Sequence, residues 1–364
     1  MRSRVVVAMS GGVDSSAAAL VAREQGHDVV GVTLRLWNPA EPSTASKGKS
    51  CCSPSEVDDA ARVAQALGIA HYVLDYAEPF RRAVIEPFVA EYVAGRTPIP
   101  CVLCNQVLKF GRLLEAARKV GATALVTGHY ARLEPDPGGE LPRLRRAVDR
   151  AKDQSYFLFS IPRDALDLIR FPLGGLTKEE VRERAQRAGL PVARKPESQE
   201  ICFIPDGDHA TFVERVSRRA AADTDGPIVD TEGRELGAHH GVHRYTVGQR
   251  RGLGLGGGEP RFVVAIDGAT RTLTVGPRAA LFHRTVQARQ PSWLVPRPPT
   301  PGTRVTAQIR SRHPEAPATV ASVDPERLVL HFDEPQEAVA PGQALVLYSG
   351  DQVLGGGWIE SRAA

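Results

Sequence analysis

A glycine-rich turn near the start of the chain constrains the fold more than any other feature. Residues 4–9 form an apolar run that predicts a buried β-strand, and residues 17–25 have the composition of a helix. Between them, residues 10–16 read Ser-Gly-Gly-Val-Asp-Ser-Ser. Adjacent glycines adopt backbone conformations that other residues avoid, so successive N–H groups can point into one concavity at a helix N-terminus. The turn therefore predicts a phosphate-binding loop, and a plain strand-to-helix connection is the alternative.

The residues of this turn also narrow the kind of phosphate ligand. The pattern lacks the lysine of the G-x-x-x-x-G-K-[ST] loop and the further glycine pair of a dinucleotide fingerprint. Its hydroxyls and amides suit a pyrophosphate, with Asp14 available to hold Mg²⁺ among the phosphate oxygens. This arrangement suits ATP that is cleaved between its α- and β-phosphates. The motif resembles the PP-loop of the ATP pyrophosphatase superfamily, whose members adenylylate an oxygen and so make it a leaving group.

Length and composition limit the number of domains, the kind of partner and the use of the cysteines. A chain of 364 residues predicts two or three domains, and its formal charge of +4 weakly indicates a polyanionic partner. We find no apolar run with the length of a signal peptide or a membrane span, so we expect a cytosolic protein without a membrane partner. Five cysteines in such a chain favour reactive or metal-binding thiols over a disulfide framework.

Strands and helices alternate through the first half of the chain. Besides the strand at residues 4–9, we expect strands at residues 27–36, 71–74 and 124–127, and helices at residues 53–67, 78–94, 105–120 and 177–188. This alternation predicts a doubly wound parallel sheet that binds its ligand beyond the carboxyl ends of the strands. There we expect Leu34 near the base of the nucleotide and Gly128 where the backbone approaches ATP closely. Residues 38–50 predict a loop, residues 133–150 predict a polar hairpin or an insertion, and Cys51 and Cys52 receive no role.

Near residue 226 the composition changes to short alternating segments rich in glycine, proline, valine and arginine. We predict a catalytic domain at residues 1–210, a small central domain at residues 211–290 and a C-terminal β-barrel at residues 291–364. The β module of the central domain is expected at residues 242–254 and 262–275, with a linker at residues 289–301. The barrel strands are expected at residues 305–310, 319–323, 328–332, 344–347 and 353–359. Exposed arginines make RNA a candidate ligand of the barrel, and also of the basic cluster at residues 143–150.

Two cysteines are candidates for sulfur chemistry. Cys104 is expected at the start of the helix at residues 105–120, where the positive end of the helix dipole favours the thiolate over the thiol. Cys202 lies in a predicted irregular segment, residues 191–203, and an ordinary buried cysteine is the alternative for it. His129 has two interpretations, a contact with the substrate or the cap of a turn.

Five ordered motifs make nearly the whole chain resemble the tRNA-specific 2-thiouridylase (MnmA) family. They are residues 10–16, Cys104-Asn105 with Lys109-Phe110, Thr127-Gly128-His129-Tyr130, residues 152–158, and Ile201-Cys202-Phe203-Ile204. The resemblance implies a PP-loop domain, a small central domain and a C-terminal β-barrel, all of which bind tRNA. It further implies a sulfurtransferase that converts a wobble uridine of tRNA to 2-thiouridine while ATP becomes AMP and pyrophosphate.

The resemblance also implies roles for individual residues. Uridine O2 is adenylylated, Cys202 accepts a persulfide from a sulfur-relay protein or a cysteine desulfurase, and sulfur displaces AMP. Cys104 either attacks the Cys202 persulfide or forms a covalent intermediate, and a Cys104–Cys202 disulfide that needs reduction ends the cycle. The implied ATP-binding residues are Ala8, Met9, Ser10, Gly11, Gly12, Val13, Asp14, Ser15, Ser16, Leu34 and Gly128. Ile99, Pro100 and Cys101 are implied to face the target base. The implied tRNA contacts are His129, Lys152, Asp153, Gln154, Arg310, Ser311 and Gln343.

One position departs from the family pattern. Many members carry aspartate three residues before the nucleophilic cysteine, whereas this chain has Cys101 there. Cys101, Cys104 and Cys202 could hold an iron–sulfur cluster whose open iron binds sulfide, which would make Cys104 a ligand. A passive substitution at Cys101 is the alternative. Two other functions stay open: a PP-loop ligase that acts on a small substrate, and an RNA-binding protein with a vestigial nucleotide site.

Overall fold

The computed structural model describes residues 3–36, 54–139, 141–197, 201–217, 224–256 and 259–362. The chain divides into two compact units. The first unit consists of Met1–Val84, Cys101–Gly207 and Asp351–Val353, and the second of Ile85–Pro100, Asp208–Gly350 and Leu354–Ala364. The domain boundaries at residues 210 and 290 stay predictions. The predicted loop at residues 38–50, with Cys51 and Cys52, lies outside the described residues.

The first unit is built on a parallel sheet, which confirms the predicted fold class. Its strands, with those of a short hairpin, are β1 (Arg4–Ala8), β2 (Asp28–Arg35), β3 (Ala70–Asp75), β4 (Ala124–Val126), β5 (Ala131–Glu134), β6 (Arg143–Arg146) and β7 (Ile169–Arg170). The five-stranded sheet has the order β3-β2-β1-β4-β7 with every neighbouring pair parallel. The chain therefore extends from the central β1 in both directions, as a doubly wound sheet does.

Helices of the first unit connect these strands: α1 (Val13–Glu24), α2 (Pro54–Leu67), α3 (Ala77–Phe80), α6 (Leu114–Lys119) and α7 (Lys178–Arg187). Of the other helices, α4 (Glu86–Val93) and α8 (His209–Ser217) belong to the second unit, and α5 (Pro100–Leu103) begins where the chain re-enters the first unit. Val5 and Val7 of β1 pack with Ala18 of α1, Val63 of α2 and Val181 of α7 in one core. All five side chains are buried because β1 is the central strand of the sheet. This packing fixes the turn between β1 and α1.

Two π-helical segments interrupt these helices, at Arg81–Ile85 and Cys104–Leu113. The first ends two residues before Pro87, whose missing N–H and bulky ring disfavour a regular α-helical turn. The second continues α5 and runs on into α6. The prediction of a helix start at residue 105 is therefore wrong, because the helix begins at Pro100, a residue type whose fixed φ and missing N–H suit the first helical position.

The polar hairpin predicted for residues 133–150 is present as the antiparallel pair β5–β6. Its arginines are engaged with carboxylates of the same unit. Arg145 pairs with Asp351, Arg143 with Asp136 and Arg146 with Asp153. The basic cluster that suggested RNA contact therefore has much of its charge compensated within the first unit.

The second unit contains a four-stranded sheet and a closed barrel, and both confirm the β-rich second half. The sheet is formed by β8 (Gly226–Val229), β9 (Glu235–His239), β10 (Phe262–Asp267) and β11 (Thr272–Gly276), in the order β10-β11-β8-β9. The barrel strands are β12 (Phe282–Trp293), β13 (Arg304–Gln308), β14 (Ala316–Val323), β15 (Arg327–Glu337), β16 (Ala344–Ser349) and β17 (Gln352–Arg362). Pairing of β12 with β17 closes the barrel.

Two predictions in this unit are wrong in part. Residues 242–254 contain a 3₁₀ turn, Val242–Arg244, and no strand, whereas strands occur earlier in β8 and β9. The linker predicted from residue 289 begins later, because β12 continues to Trp293. A register shift between Arg289 and Ser292, with a positive φ at Gln290, lets β12 accommodate Pro291. Throughout the part of the chain that the structure describes, no helix is long and apolar enough to cross a membrane.

Candidate active site

The phosphate loop predicted from the sequence lies between β1 and α1, at the carboxyl end of the central strand. Gly12 is the N-cap of α1, so the first N–H groups of α1 lie at this turn. Gly11 has a φ of 73°, and a Cβ there would stand 2.2 Å from the carbonyl oxygen of Glu56. No side chain fits that space, so glycine is required at residue 11 by both its conformation and its close neighbour.

Serine hydroxyls fix the shape of the loop. The Ser15 hydroxyl accepts a hydrogen bond from the Ser10 N–H at 3.1 Å and donates to the Gly12 carbonyl at 3.2 Å. The Ser16 hydroxyl also donates to the Gly12 carbonyl, at 2.8 Å. Ser15 and Ser16 are buried, whereas Ser10 is exposed. The loop is therefore held in shape by its own side chains, and Ser10 is positioned to meet a ligand.

Lys195 fastens the loop to α2. Its ammonium donates to the Gly11 carbonyl at 3.1 Å and forms ion pairs with Glu56 at 2.6 Å and Asp59 at 2.5 Å. Burial acts to lower the pKa of Lys195, but the hydrogen bonds and charges of the two carboxylates raise it above its usual value. The ammonium therefore keeps its proton, and it acts as a fixed bridge between the phosphate loop and α2.

Asp14, the candidate Mg²⁺ ligand, lies in a network of charged side chains. The Lys178 ammonium donates to Asp14 Oδ1 at 2.7 Å and to Oδ2 at 2.9 Å, and it contacts Glu197 Oε1 at 3.0 Å. The Tyr130 hydroxyl donates to Asp14 Oδ1 at 2.9 Å. Burial and the charge of Asp14 raise the pKa of Tyr130, so its phenol stays protonated and serves as a donor. Glu197 in turn forms an ion pair with Lys152 at 2.7 Å.

Lys178 was not among the site residues expected from the sequence, although the helix that carries it was predicted. Thr177 and Glu180 form the predicted capping box of α7, which makes Lys178 the first residue of that helix. A helix N-terminus disfavours a cation, and burial disfavours it further, yet Lys178 is only 5% exposed. A lysine at this helical position, against the dipole, is the sequence signal that could have identified it.

The other predicted ATP-binding residues lie at the same end of the sheet. Gly128 follows β4 and packs against the peptide between Asp14 and Ser15. Leu34 is half-buried near the carboxyl end of β2, the strand beside β1. Met9 continues the β1 pairing, since its N–H donates to the Val32 carbonyl at 2.8 Å. The first unit thus brings the loop at residues 8–16 together with Gly128, and their binding of ATP stays a prediction.

The three candidate cysteines differ in their surroundings. Cys101 is exposed in α5, Cys104 is half-buried as the first residue of the second π segment, and Cys202 is half-buried in a turn. Because the helix begins at Pro100, Cys104 lies beyond its first turn, where the effect of the helix dipole has fallen off. The helix N-terminus that was expected at Cys104 therefore lies at Pro100, and Cys101 is the cysteine in its first turn.

The described residues show no metal site formed by these cysteines. All three lie among the described residues, and those residues contain no group of three or more His, Cys, Asp or Glu side chains placed to hold a metal ion. An iron–sulfur cluster needs its thiolate ligands gathered around one centre. An iron–sulfur cluster on Cys101, Cys104 and Cys202 stays a hypothesis from the sequence, and no reaction step is derived through one.

Comparisons with known proteins place the chain in a family. The model of the tRNA methyl transferase HUP domain matches residues 3–206, that of the tRNA methyl transferase PRC-barrel domain residues 213–277, and that of the aminomethyltransferase beta-barrel domain residues 283–359. The tRNA-specific 2-thiouridylase MnmA of Geotalea uraniireducens is 48% identical over 99% of this chain and 95% of its own length. The protein of the same name from Rhodospirillum rubrum is 52% identical over 98% and 96%. The chain belongs to the tRNA-specific 2-thiouridylase (MnmA) family. The resemblance stated from its motifs is thereby confirmed.

Two of the motifs that this 2-thiouridylase family member carries contact each other. Asn105 is buried and donates from its side chain to the Phe157 carbonyl at 3.1 Å, and it accepts from Lys109 at 3.0 Å. The His129 ring packs against both Phe110 and Phe171, with centroids 5.9 and 5.8 Å away, and those two rings also contact each other at 6.0 Å. Burial, with a smaller effect of the Lys109 charge, lowers the pKa of His129 well below its usual value. His129 is therefore neutral at neutral pH.

The predicted tRNA contacts in the first unit are engaged with protein groups. Asp153 accepts from the Arg146 side chain at 3.0 Å and from the Ala147 N–H at 2.9 Å. Gln154 accepts from the Tyr130 N–H at 2.9 Å. Asp153 and Gln154 therefore shape the segment around β6 and Tyr130, while Lys152 is tied to Glu197. Their contact with tRNA stays a prediction.

The remaining predicted contacts lie in the second unit. The Gln308 side chain donates to the carbonyls of Arg310 and Ser311, each at 2.9 Å, and so fixes the turn after β13. Gln343 donates to the Thr97 carbonyl at 2.9 Å. Ile99 and Pro100, predicted to face the target base together with Cys101, are buried. These roles also stay predictions of the 2-thiouridylase family assignment.

Proposed function

We propose that the protein converts a uridine of tRNA, the wobble uridine, to 2-thiouridine at the expense of ATP, in the cytosol. The observation that carries the proposal is the phosphate loop at residues 8–16, fixed by Lys195 and approached by Gly128. It occurs in a chain about half identical to proteins named tRNA-specific 2-thiouridylase. A loop that is already ordered does not lose further conformational freedom when the phosphates bind.

The first step is the activation of uridine O2. This oxygen attacks the α-phosphorus of ATP, the bond to the bridging oxygen breaks, and pyrophosphate leaves. The N–H groups at the start of α1 and the Ser10 hydroxyl bind the phosphate oxygens. O2 then leaves as part of AMP, a far better leaving group than a carbonyl oxygen.

Asp14 fits a Mg²⁺ ion that is shared with the phosphates. Mg²⁺ in nucleotide sites is commonly held by one or two carboxylates, with phosphate oxygens and waters as its other ligands. A carboxylate has about four acceptor directions. Among the described residues, Asp14 Oδ1 accepts two hydrogen bonds and Oδ2 accepts one. One acceptor direction of Oδ2 is therefore left open by the described residues. The ion would supply charge neutralisation on the pyrophosphate that leaves.

The second step is sulfur transfer through the two half-buried cysteines. A sulfur-relay protein or a cysteine desulfurase loads Cys202 as a persulfide. The Cys104 thiolate attacks the Cys202 Sγ, a Cys104–Cys202 disulfide forms, and sulfide leaves. Sulfide attacks C2 of the activated uridine and AMP departs. A thiol reductant then restores both cysteines. Covalent attack of Cys104 on the base is the other route that the same two residues allow.

Separate assays of the two half-reactions test the proposal. Pyrophosphate release from ATP and tRNA reports the first step, and retardation of the tRNA in a mercury-containing gel reports the thiolated product. Asp14→Ala should lose both signals, whereas Cys202→Ser should keep pyrophosphate release and lose thiolation. Equal loss of pyrophosphate release in the two variants would contradict these roles.

The same assays separate the rival functions. Normal turnover by Cys104→Ser would favour a PP-loop ligase that needs no thiol. Binding of tRNA without any pyrophosphate release by the unaltered protein would favour an RNA-binding protein with a vestigial nucleotide site.

A further inference from the structure

Lys178 is a buried cation at a position that disfavours one. It is the first residue of α7, its side chain is 6% exposed, and it lies with its ammonium 5.6 Å from the centre of the Tyr130 ring. Burial and the helix dipole both oppose the charge. Among the described residues, the carboxylates of Asp14 and Glu197 contact the ammonium and offset these effects. The shortest contact of its ammonium, at 2.7 Å, is with Asp14, the candidate Mg²⁺ ligand.

The number of hydrogen bonds that Lys178 makes distinguishes two roles, binding of a phosphate and orientation of a neighbouring side chain. An ammonium has three N–H donors. They meet Asp14 Oδ1, Asp14 Oδ2 and Glu197 Oε1 at 2.7, 2.9 and 3.0 Å. All three donors are therefore used before a nucleotide arrives. A phosphate-binding lysine would instead keep a donor available for the nucleotide.

Asp14 shows the complementary pattern. Its side chain is 35% exposed, while donors from Lys178 and Tyr130 hold its two oxygens in one orientation. The one acceptor direction that the described donors leave open is at Oδ2. A carboxylate without these partners could rotate about its side-chain bonds, and the open direction would rotate with it. Fixed partners that orient a metal ligand typically change metal affinity by 10–100-fold when removed.

We propose that Lys178 is a positioning residue of the nucleotide site, which orients Asp14 so that Oδ2 meets the Mg²⁺ of the bound nucleotide. This inference rests on the proposed use of ATP. Lys178 acts through Asp14 and makes no contact with the phosphates. Glu197 holds the third donor of Lys178, so the ammonium cannot swing towards the nucleotide.

Calorimetric binding of α,β-methylene-ATP, an analogue that cannot be cleaved between its α- and β-phosphates, tests the proposal. Binding is measured with Mg²⁺ and with EDTA for the unaltered protein, Lys178→Met, Asp14→Asn and the double variant. Lys178→Met should weaken binding in Mg²⁺ about 10–100-fold and leave binding in EDTA unchanged. In the Asp14→Asn background the lysine substitution should have no further effect, because the two residues act as a unit. Lys119→Met, at an exposed ion pair in α6, is the matched control and should bind normally.

Several outcomes would overturn the inference. Equal loss in Mg²⁺ and in EDTA would mean that Lys178 binds phosphate directly, and additive losses in the double variant would mean that it acts independently of Asp14. Should Lys178→Met fail to fold, Lys178→Arg keeps the charge but displaces the carboxylate, and it must show the same Mg²⁺-dependent loss. If the unaltered protein bound no analogue under either condition, the proposed use of ATP itself would fail.

Discussion

Gly128 lies directly against the backbone of Asp14. A Cβ on residue 128 would stand 2.6 Å from the Asp14 carbonyl carbon and 2.7 Å from the Ser15 nitrogen. Both are backbone atoms of the first turn of α1, so neither can rotate away as the end of a side chain could. The strand end after β4 and the phosphate loop therefore meet without a side chain between them.

Gly128→Ala should accordingly displace the first turn of α1 and abolish pyrophosphate release while the protein stays folded. Gly175→Ala is the matched control, because a Cβ at residue 175 meets no atom within 4 Å. Pyrophosphate release from ATP and tRNA, together with thermal unfolding of both variants, measures the effect. Full activity of Gly128→Ala would show that the loop tolerates the displacement.

Glu197 makes a pH-dependent contribution to stability. Burial acts to raise its pKa, but hydrogen bonds and charges from Lys152 and Lys178 lower it from 4.5 to about 2. A carboxyl whose pKa is lower in the folded state stabilises the fold above its unfolded pKa, and this stabilisation is lost as the pH falls from about 4.5 towards 2. Glu197→Gln should thus reduce the free energy of unfolding by about 1–3 kcal/mol at pH 7.

Urea unfolding of Glu197→Gln and the unaltered protein at pH 7, 5 and 3.5 measures this difference. The gap between the two should be the same at pH 7 and 5 and should narrow at pH 3.5. A gap that does not change with pH would show that packing, and not charge, accounts for the loss.

His129 should remain uncharged under mildly acidic conditions. Its surroundings lower the pKa of the imidazole, mainly through burial, so the folded protein holds the neutral ring where the unfolded chain begins to take up a proton. The stabilisation that depends on the neutral ring is therefore complete above about pH 6.5 and decreases below it. Imidazole NMR signals assigned with His129→Gln should not move between pH 7.5 and 5.5. Titration of the signal near pH 6.5, as expected for the urea-unfolded chain, would contradict this.

Arg310 offers a test of the predicted tRNA contacts in the barrel. Its guanidinium donates to the Glu337 carbonyl at 3.3 Å, whereas Arg304 is paired with Asp333 at 2.5 Å. Arg310→Ala should weaken tRNA binding and reduce the dependence of log K on log salt by about one, the effect of one lost phosphate contact. Arg304→Ala should leave both quantities unchanged. Filter binding over a salt series measures them, and identical slopes for all three proteins would remove Arg310 from the interface.

The phosphate loop and the parallel sheet could be predicted because their determinants are local. A glycine pair between an apolar strand and a helix specifies the turn, and alternating strands and helices imply the sheet. The network around Asp14 could not be predicted in the same way, since Lys178 follows Asp14 by 164 residues and only the folded chain brings them together. The capping box of α7 could be recognised in the sequence. The contact of Lys178, the first residue of α7, with the Asp14 carboxylate could not.

Two of the errors in the predicted elements occurred at proline residues. Pro100 begins a helix that was expected five residues later, and Pro291 lies inside β12, where a linker was expected. In both places proline is compatible with regular structure, once as the first helical residue and once beside a bulge. Local composition cannot distinguish these cases from a true break.

The ten-residue π segment that begins at Cys104 limits which insertions and deletions the chain can tolerate. Its hydrogen bonds skip one more residue than those of an α-helix, so side chains along it advance around the axis more slowly. Asn105 is hydrogen-bonded to Phe157, and Leu113 is buried. Both side chains keep these orientations only if the number of residues between them stays the same. Deletion of a single residue in this segment would rotate the Cys104 thiol relative to the rest of the helix, even if the cysteine itself were retained. At this position the chemistry depends on spacing along the chain as strictly as on the identity of the cysteine.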